Sequence, residues 1–342
     1  MPKVSVIVPN YQHERFLEQR LKSIQNQNFK DFELILLDDA SQDKSPQILE
    51  AFHQEWGNSQ LLINTENSGS PFKQWNKGVE MSKGEYLWIA ESDDYCQANL
   101  LESLVSLMDQ NPNLGIAYGH SMMVNEEGVE INSYAENLEF IFKSQAWRED
   151  FIISGKQACQ DWLFHHNPIP NASGILMRKS AYLEVGGADP KFRLNGDWEL
   201  YARILLKYDL GFINEELNFF RVHKKTQRSQ SIKRASVYEE LYAINQLLRK
   251  ALPEAEKEAD QALTEFGNWW IGNLPYHSWS AENRRINRKM YGVFKEIRKP
   301  LAYRIFLTFC ISYVRDFLKF IGLLKPLKKL RSSLWPGKYW DK

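Results

Sequence analysis

Tyr86-Leu87-Trp88-Ile89-Ala90-Glu91-Ser92-Asp93-Asp94 decides how the rest of the chain is read. An apolar run of strand length passes directly into a cluster of carboxylates. A short apolar run bounded by polar turn residues suits a buried strand. Neighbouring carboxylates repel unless a cation or a hydrogen-bond donor lies between them. The stretch therefore predicts a strand over 86–90 that delivers an acidic cluster to the edge of a sheet.

Upstream segments repeat the pattern. Val4 to Pro9, a β-branched run, ends at Asn10-Tyr11, and Phe32 to Leu37 stops at Asp38-Asp39-Ala40-Ser41. Leu61 to Asn64 and Gly115 to Tyr118 predict further strands. Between them, Arg15 to Gln27 carries Phe16, Leu17, Leu21 and Ile24 at helical spacing. Ser45 stands where an N-cap belongs, with Pro46 at the first helical position. Trp75 to Met81 and Asn99 to Gln110 predict helices as well. This alternation predicts an α/β fold with a mostly parallel, Rossmann-like central sheet covered on both faces. In open sheets of this kind ligands bind beyond the strand C-termini. Capping accounts for Asp43 and Ser45, whereas doubled carboxylates at two strand ends ask for a ligand.

Farther on the reading is coarser. Tyr134 to Asn167 has poor periodicity and many aromatics, and reads as an excursion over the substrate face. Asn171 to Met177 is strand-like, Ser180 to Val185 and Trp198 to Tyr208 are helical, and Phe212 to Phe220 is a strand leading to Arg221-Val222-His223. The predicted organisation is a domain over 1–232, in two halves at about 1–120 and about 121–232, which the resemblance given below implies to be nucleotide-binding and acceptor halves. A mainly helical region follows over 233–342.

Composition narrows the function. Basic and acidic residues balance at 43 each, so no overall charge draws the chain to nucleic acid. Cys96, Cys159 and Cys310 form no CxxC pair and suit reduced thiols in the cytoplasm. Met1-Pro2-Lys3-Val4 runs straight into a strand, which predicts no cleaved signal peptide. Leu301 to Leu324 is apolar and aromatic, but Arg304, Arg315, Asp316 and Lys319 interrupt it, so no membrane span is expected there. Flanking Lys and Arg residues fit an amphipathic tail over 301–342 on the inner face of an anionic membrane. Packing on the protein, or at a contact between copies, fits equally. Oligomeric state is not encoded legibly. No GxGxxG follows a strand, against a dinucleotide oxidoreductase. No Gly-rich basic loop follows the first strand, against a nucleotidyltransferase.

In its ordered motifs the chain resembles the inverting family 2 glycosyltransferases of GT-A fold. The resemblance spans roughly residues 3–231. It rests on Val4 to Tyr11, Leu37 to Asp43, Asn67-Ser68-Gly69, Asn76-Lys77-Gly78, Ser82 to Tyr86, Glu91 to Asp94, Gly186-Gly187, Gly196 to Leu200 and Arg221-Val222-His223. It implies transfer of a sugar from a nucleotide-diphosphate sugar to a hydroxyl of a glycan or lipid-linked acceptor, in cell-surface polysaccharide synthesis. A UDP- or dTDP-sugar is favoured. A non-catalytic nucleotide-sugar binding protein of the same fold is the alternative.

The resemblance also implies roles for single residues. Asp39 would accept a hydrogen bond from the ring N–H of the base, between walls supplied by Pro9, Asn10 and Tyr11. Asp94 would bind a divalent cation, Mn²⁺ or Mg²⁺, which suits hard oxygen ligands and neutralises the leaving diphosphate. Asp93 would contact the ribose or the metal's waters, and His223 would complete the coordination. Lys73 stands near the place of an arginine that approaches the diphosphate. Asp197 would take the proton of the acceptor hydroxyl as general base, although it is also placed to cap a helix beginning at Trp198. Gly196 stands where the family has Glu, and Glu91 where it often has Asp. Glu91, Asn171, Ser173, Trp198 and Glu199 are expected to shape the sugar and acceptor sites.

Overall fold

The structure, a computed structural model, describes residues 1–222, 234–274, 277, 280–297, 314, 321 and 322. His223 lies outside them. So does the 301–342 tail apart from three isolated residues. The chain divides into two compact units, residues 1–229 with 240–259, and residues 230–239 with 260–342.

The first unit is built on one sheet. Its strands are β1 (Val4–Asn10), β2 (Phe32–Asp38), β3 (Ser59–Ile63), β4 (Tyr86–Ile89), β5 (Tyr95–Cys96), β6 (Leu114–Val124), β7 (Glu130–Ser133), β8 (Phe151–Ile153), β9 (Ile175–Arg178) and β10 (Asp209–Arg221). They lie in the order β3-β2-β1-β4-β9-β6-β10-β5, with β7 beside β6 and β8 beside β10. The half made of β1 to β4 is parallel, and β9 reverses direction between β4 and β6. Every residue of β1 is buried, as expected of a strand covered on both faces.

The helices of this unit are α1 (Glu14–Gln25), α2 (Ser45–Trp56), α3 (Pro71–Met81), α4 (Leu100–Gln110), α5 (Tyr134–Phe142), α6 (Gly155–Ala158), α7 (Lys179–Glu184) and α8 (Gly196–Leu205). After them, α9 (Ser236–Ala251) precedes α10 (Glu256–Asn273) and α11 (Ala281–Ile297). Helix α1 buries the expected Phe16, Leu17, Leu21 and Ile24, and with them the cation Arg20. Ser45 does not cap α2. Asp43 accepts the Ser45 N–H at 3.0 Å and, through its other oxygen, the Glu14 N–H. Glu14 in turn accepts the Lys44 N–H at 2.7 Å. Each acid thus satisfies an orphan donor of the other helix's start, which a hydroxyl with less charge does less well.

The excursion over 134–167 differs from its sequence reading. It contains strand β8, antiparallel to β10, and most of its large aromatics are core. Trp147 is buried and donates its indole N–H to the Tyr118 hydroxyl at 2.8 Å. Trp147, Phe151 and Trp162 pack together and reach Phe212 of β10. A three-residue strand is too short for its alternation to be read.

In the second unit, Trp270 of α10 packs on Phe294 of α11 and donates to Asn287 at 2.9 Å. No helix among the described residues is long and apolar enough to cross a membrane.

Candidate active site

The acidic turn Glu91–Asp94 links β4 to β5 and is held from several sides. The Glu91 N–H donates to the Ser173 hydroxyl at 3.1 Å, and its carbonyl accepts Arg20 Nε at 2.9 Å. Arg221 donates Nε to the Asp93 carbonyl at 2.8 Å. Ser92 meets His13 Nδ1 at 2.9 Å. Asp94 is 2% exposed. One of its oxygens accepts the Arg221 backbone N–H at 2.8 Å and the other accepts the Asn171 amide. Asn218 braces Asn171 in turn at 3.1 Å. Asp93 keeps part of its surface exposed.

The turn is electrostatically crowded. Burial, then the charges of Asp93, Asp94 and Asp197, push the Glu91 carboxyl well above the usual range, against Arg20. Burial and Asp93 push Asp94 up to about 7, opposed by Arg20, the Arg221 N–H and Ser173. Asp197, from a distant part of the chain, therefore stands within electrostatic reach of the turn. Tyr201, one helical turn beyond Asp197, is buried beside it; burial and the charges of Asp197 and Glu91 hold its phenol protonated. Its hydroxyl has no hydrogen-bond partner among the described residues.

The second strand-end cluster is built round Asp39. One oxygen accepts from Asn64, the Ser68 N–H and Gln74 at 2.7 to 2.9 Å; the other accepts the Ser68 hydroxyl at 2.8 Å. An ionised carboxylate offers about four acceptor sites, so this second oxygen keeps capacity for another donor. Asp38 is a turn acid, taking the Asn10 amide and the Ser41 N–H. Asn10 is buried and Tyr11 exposed. Lys73 is exposed, with its ammonium on the Ser68 carbonyl at 3.0 Å, over the loop that surrounds Asp39.

Asp197 does not cap α8. The helix begins at Gly196 with Asn195 in the cap position, which puts Asp197 in the first turn, where the helix dipole favours a negative charge. Gly196 has a steric reason to replace a larger residue. A Cβ there would lie 2.4 Å from the Phe72 ring of α3. Gly196→Ala is expected to overpack this contact and cost about 1–3 kcal/mol; a melting temperature equal to that of the parent protein would refute the steric reading.

Four residues expected on the sugar and acceptor side are buried and held by protein partners. Asn171 and Ser173 are buried and hold the acidic turn from behind. Trp198 is buried, its indole N–H on the Leu163 carbonyl at 3.0 Å. Glu199 is engaged by Arg203, one turn along α8, at 2.6 and 2.7 Å.

Other residues gain roles that sequence reading missed. Arg20 and Arg221 are buried cations under the acidic turn, and both Arg20 Nη groups lack partners among the described residues. A buried arginine on an amphipathic helix face was a readable signal. Asn76 takes the Ala188 N–H and donates to the Ala188 carbonyl, tying α3 to the Gly186-Gly187 turn, where both glycines have positive φ.

Among the described residues no three His, Cys, Asp or Glu side chains stand together as a metal cage. The crowded carboxylates nevertheless fit a cation held by one or two of them, with substrate phosphate oxygens filling its sphere.

The model for "Glycosyl transferase family 2" matches residues 5–186. The chain is similar to the glycosyltransferase GlyG of Streptococcus pneumoniae, 29% identical over 231 residues, 68% of this chain and 73% of that one. It is also similar to the GalNAc(5)-diNAcBac-PP-undecaprenol β-1,3-glucosyltransferase of Campylobacter jejuni, 30% identical over 45% of this chain. It spans about half of that relative (48%). Among solved structures, Staphylococcus aureus TarS 1–349 in complex with UDP-GlcNAc superposes with a TM-score of 0.64 at 18% identity, over 94% of this chain and 92% of that one. Mannosyltransferase PcManGT of Pyrobaculum calidifontis, in complex with GDP-Man and Mn²⁺, gives 0.53 at 17% identity, over 93% and 88%. The fold they share with this chain is GT-A.

Proposed function

The chain belongs to glycosyl transferase family 2, and on that footing we propose that it moves a sugar, with inversion, from a UDP- or dTDP-sugar to a hydroxyl of a glycan or lipid-linked acceptor. The reaction is assigned to the cytoplasm, in cell-surface polysaccharide synthesis. The observation that carries this reading is the pair of polar clusters at the ends of two parallel strands that flank β1, the Asp39 pocket after β2 and the acidic turn after β4, with the charge of Asp197 felt at Glu91 as support.

The base of the nucleotide lies between Pro9, Asn10 and Tyr11, with its ring N–H on the less occupied oxygen of Asp39. Lys73 lies near the diphosphate as a point charge, without arginine's bidentate fork. Asp93 is placed ahead of Asp94 as direct metal ligand, because it keeps part of its surface exposed whereas Asp94 is buried with a protein donor on each oxygen. His223, which the resemblance implies as a further ligand, lies outside the described residues. A bound Mn²⁺ or Mg²⁺ would supply Lewis-acid stabilisation of the departing diphosphate. The acceptor oxygen attacks the anomeric carbon opposite the leaving group. Asp197 takes its proton as the new bond forms and the sugar–phosphate bond breaks. Glu91, in the same turn, is assigned to the donor-sugar site. The C. jejuni relative is named for an undecaprenol-linked acceptor, and TarS was solved with UDP-GlcNAc. Both support the substrate classes chosen here.

A thermal-shift screen of nucleotide sugars with and without Mn²⁺ tests the reading. One UDP- or dTDP-sugar should raise the melting temperature in a cation-dependent way, and release of its nucleoside diphosphate should follow. Indifference to every nucleotide sugar would sink it.

A further inference from the structure

Glu240 lies on α9, within the unit that holds the sheet, and outside every motif considered so far. Its side chain is buried. One carboxylate oxygen accepts the Arg193 N–H at 2.8 Å. The other accepts the Leu194 N–H at 3.1 Å, the Asn195 N–H at 2.9 Å and the Asn195 side-chain amide at 3.1 Å. Three consecutive backbone N–H groups thus converge on a single anion. Such a nest binds negative charge, and hydrogen bonds to an ionised acceptor are the strong ones.

The gripped segment has a particular place. Asn195 is the cap residue of α8, and its carbonyl accepts the Glu199 N–H at 3.0 Å. Asp197 follows two residues later. The start of α8 has no side-chain cap of its own, so what holds 193–195 adds to the packing that sets its first turn. Gly196, lacking a side chain, adds no anchor beyond its contact with Phe72.

We propose that Glu240 is a positioning residue for Asp197: a carboxylate from α9 fastens the loop at the base of α8 and so fixes where the general base points. This rests on reading Asp197 as the base. Displacing a reacting group by about 1 Å can cost on the order of a hundredfold in rate. Loosening the loop should therefore act on turnover and spare the nucleotide, whose Asp39 pocket lies at other strand ends.

The test measures kcat for sugar transfer, donor Kd and melting temperature for Glu240→Ala, Glu240→Gln and Asp197→Asn. Glu240→Ala should lower kcat by about 10–100-fold with donor Kd within about threefold of the parent protein. Glu240→Gln keeps one acceptor oxygen but turns an amide N–H toward the backbone donors, so it should fall between. Unchanged kcat in either variant would overturn the proposal, as would donor affinity falling in step with kcat. If Glu240→Ala does not fold, Glu240→Gln decides alone. Should Asp197→Asn keep full turnover, it is the base assignment that fails, whatever the Glu240 variants do.

Discussion

Asp197→Asn should remove sugar transfer almost completely while leaving nucleotide-sugar binding intact. General-base contributions run to about 10²–10⁴-fold, and loss of kcat on that scale is the expected result. The fold should tolerate the change. Asp197 is not the cap of α8, the amide keeps the size of the side chain, and the lost charge is one that disfavours ionisation of Glu91. Steady-state transfer and isothermal titration with the donor, run side by side, separate the two effects. A variant that keeps more than a tenth of its turnover would show that the proton leaves by another route.

Asp93 and Asp94 should respond in opposite ways. Asp94→Ala removes the acceptor of the Arg221 N–H and of the Asn171 amide. Each buried donor left unpaired costs about 1–3 kcal/mol, so this variant should melt several degrees lower even without ligand. Asp93→Ala should melt near the parent protein, yet lose cation-dependent turnover or need far more Mn²⁺ to recover it. Melting curves and a Mn²⁺ titration of activity check both. The reverse pattern, a stable but inactive Asp94 variant beside an unstable Asp93 variant, would return the metal-ligand role to Asp94.

That division shows where sequence reading stops. The strand ends at Asn10, Asp38 and Glu91 were legible because β-branched and aromatic runs end abruptly in polar residues. The sheet half built from β1 to β4 followed from the same periodicity. The roles of two adjacent carboxylates were not legible. Of the two, Asp94 is buried and Asp93 partly exposed, and the donors that meet Asp94 come from Asn171 and Arg221, far along the chain. That Asn171 and Ser173 hold the acidic turn was not legible either: a motif gives order along the chain and not the direction of a side chain. Gly196 looked like a lost acid until Phe72 supplied the reason. The three-residue β8 is defined by its pairing with β10 and carries no pattern of its own.

The contact between Gly196 and Phe72 also has a mechanical side. Phe72 sits in the first turn of α3, directly after the loop that encloses Asp39, and Gly196 opens the helix that carries Asp197. No flexible side chain cushions the approach of ring to backbone. The helix that follows the Asp39 loop and the helix that carries Asp197 therefore meet ring to backbone, a closeness that only a residue without a Cβ permits.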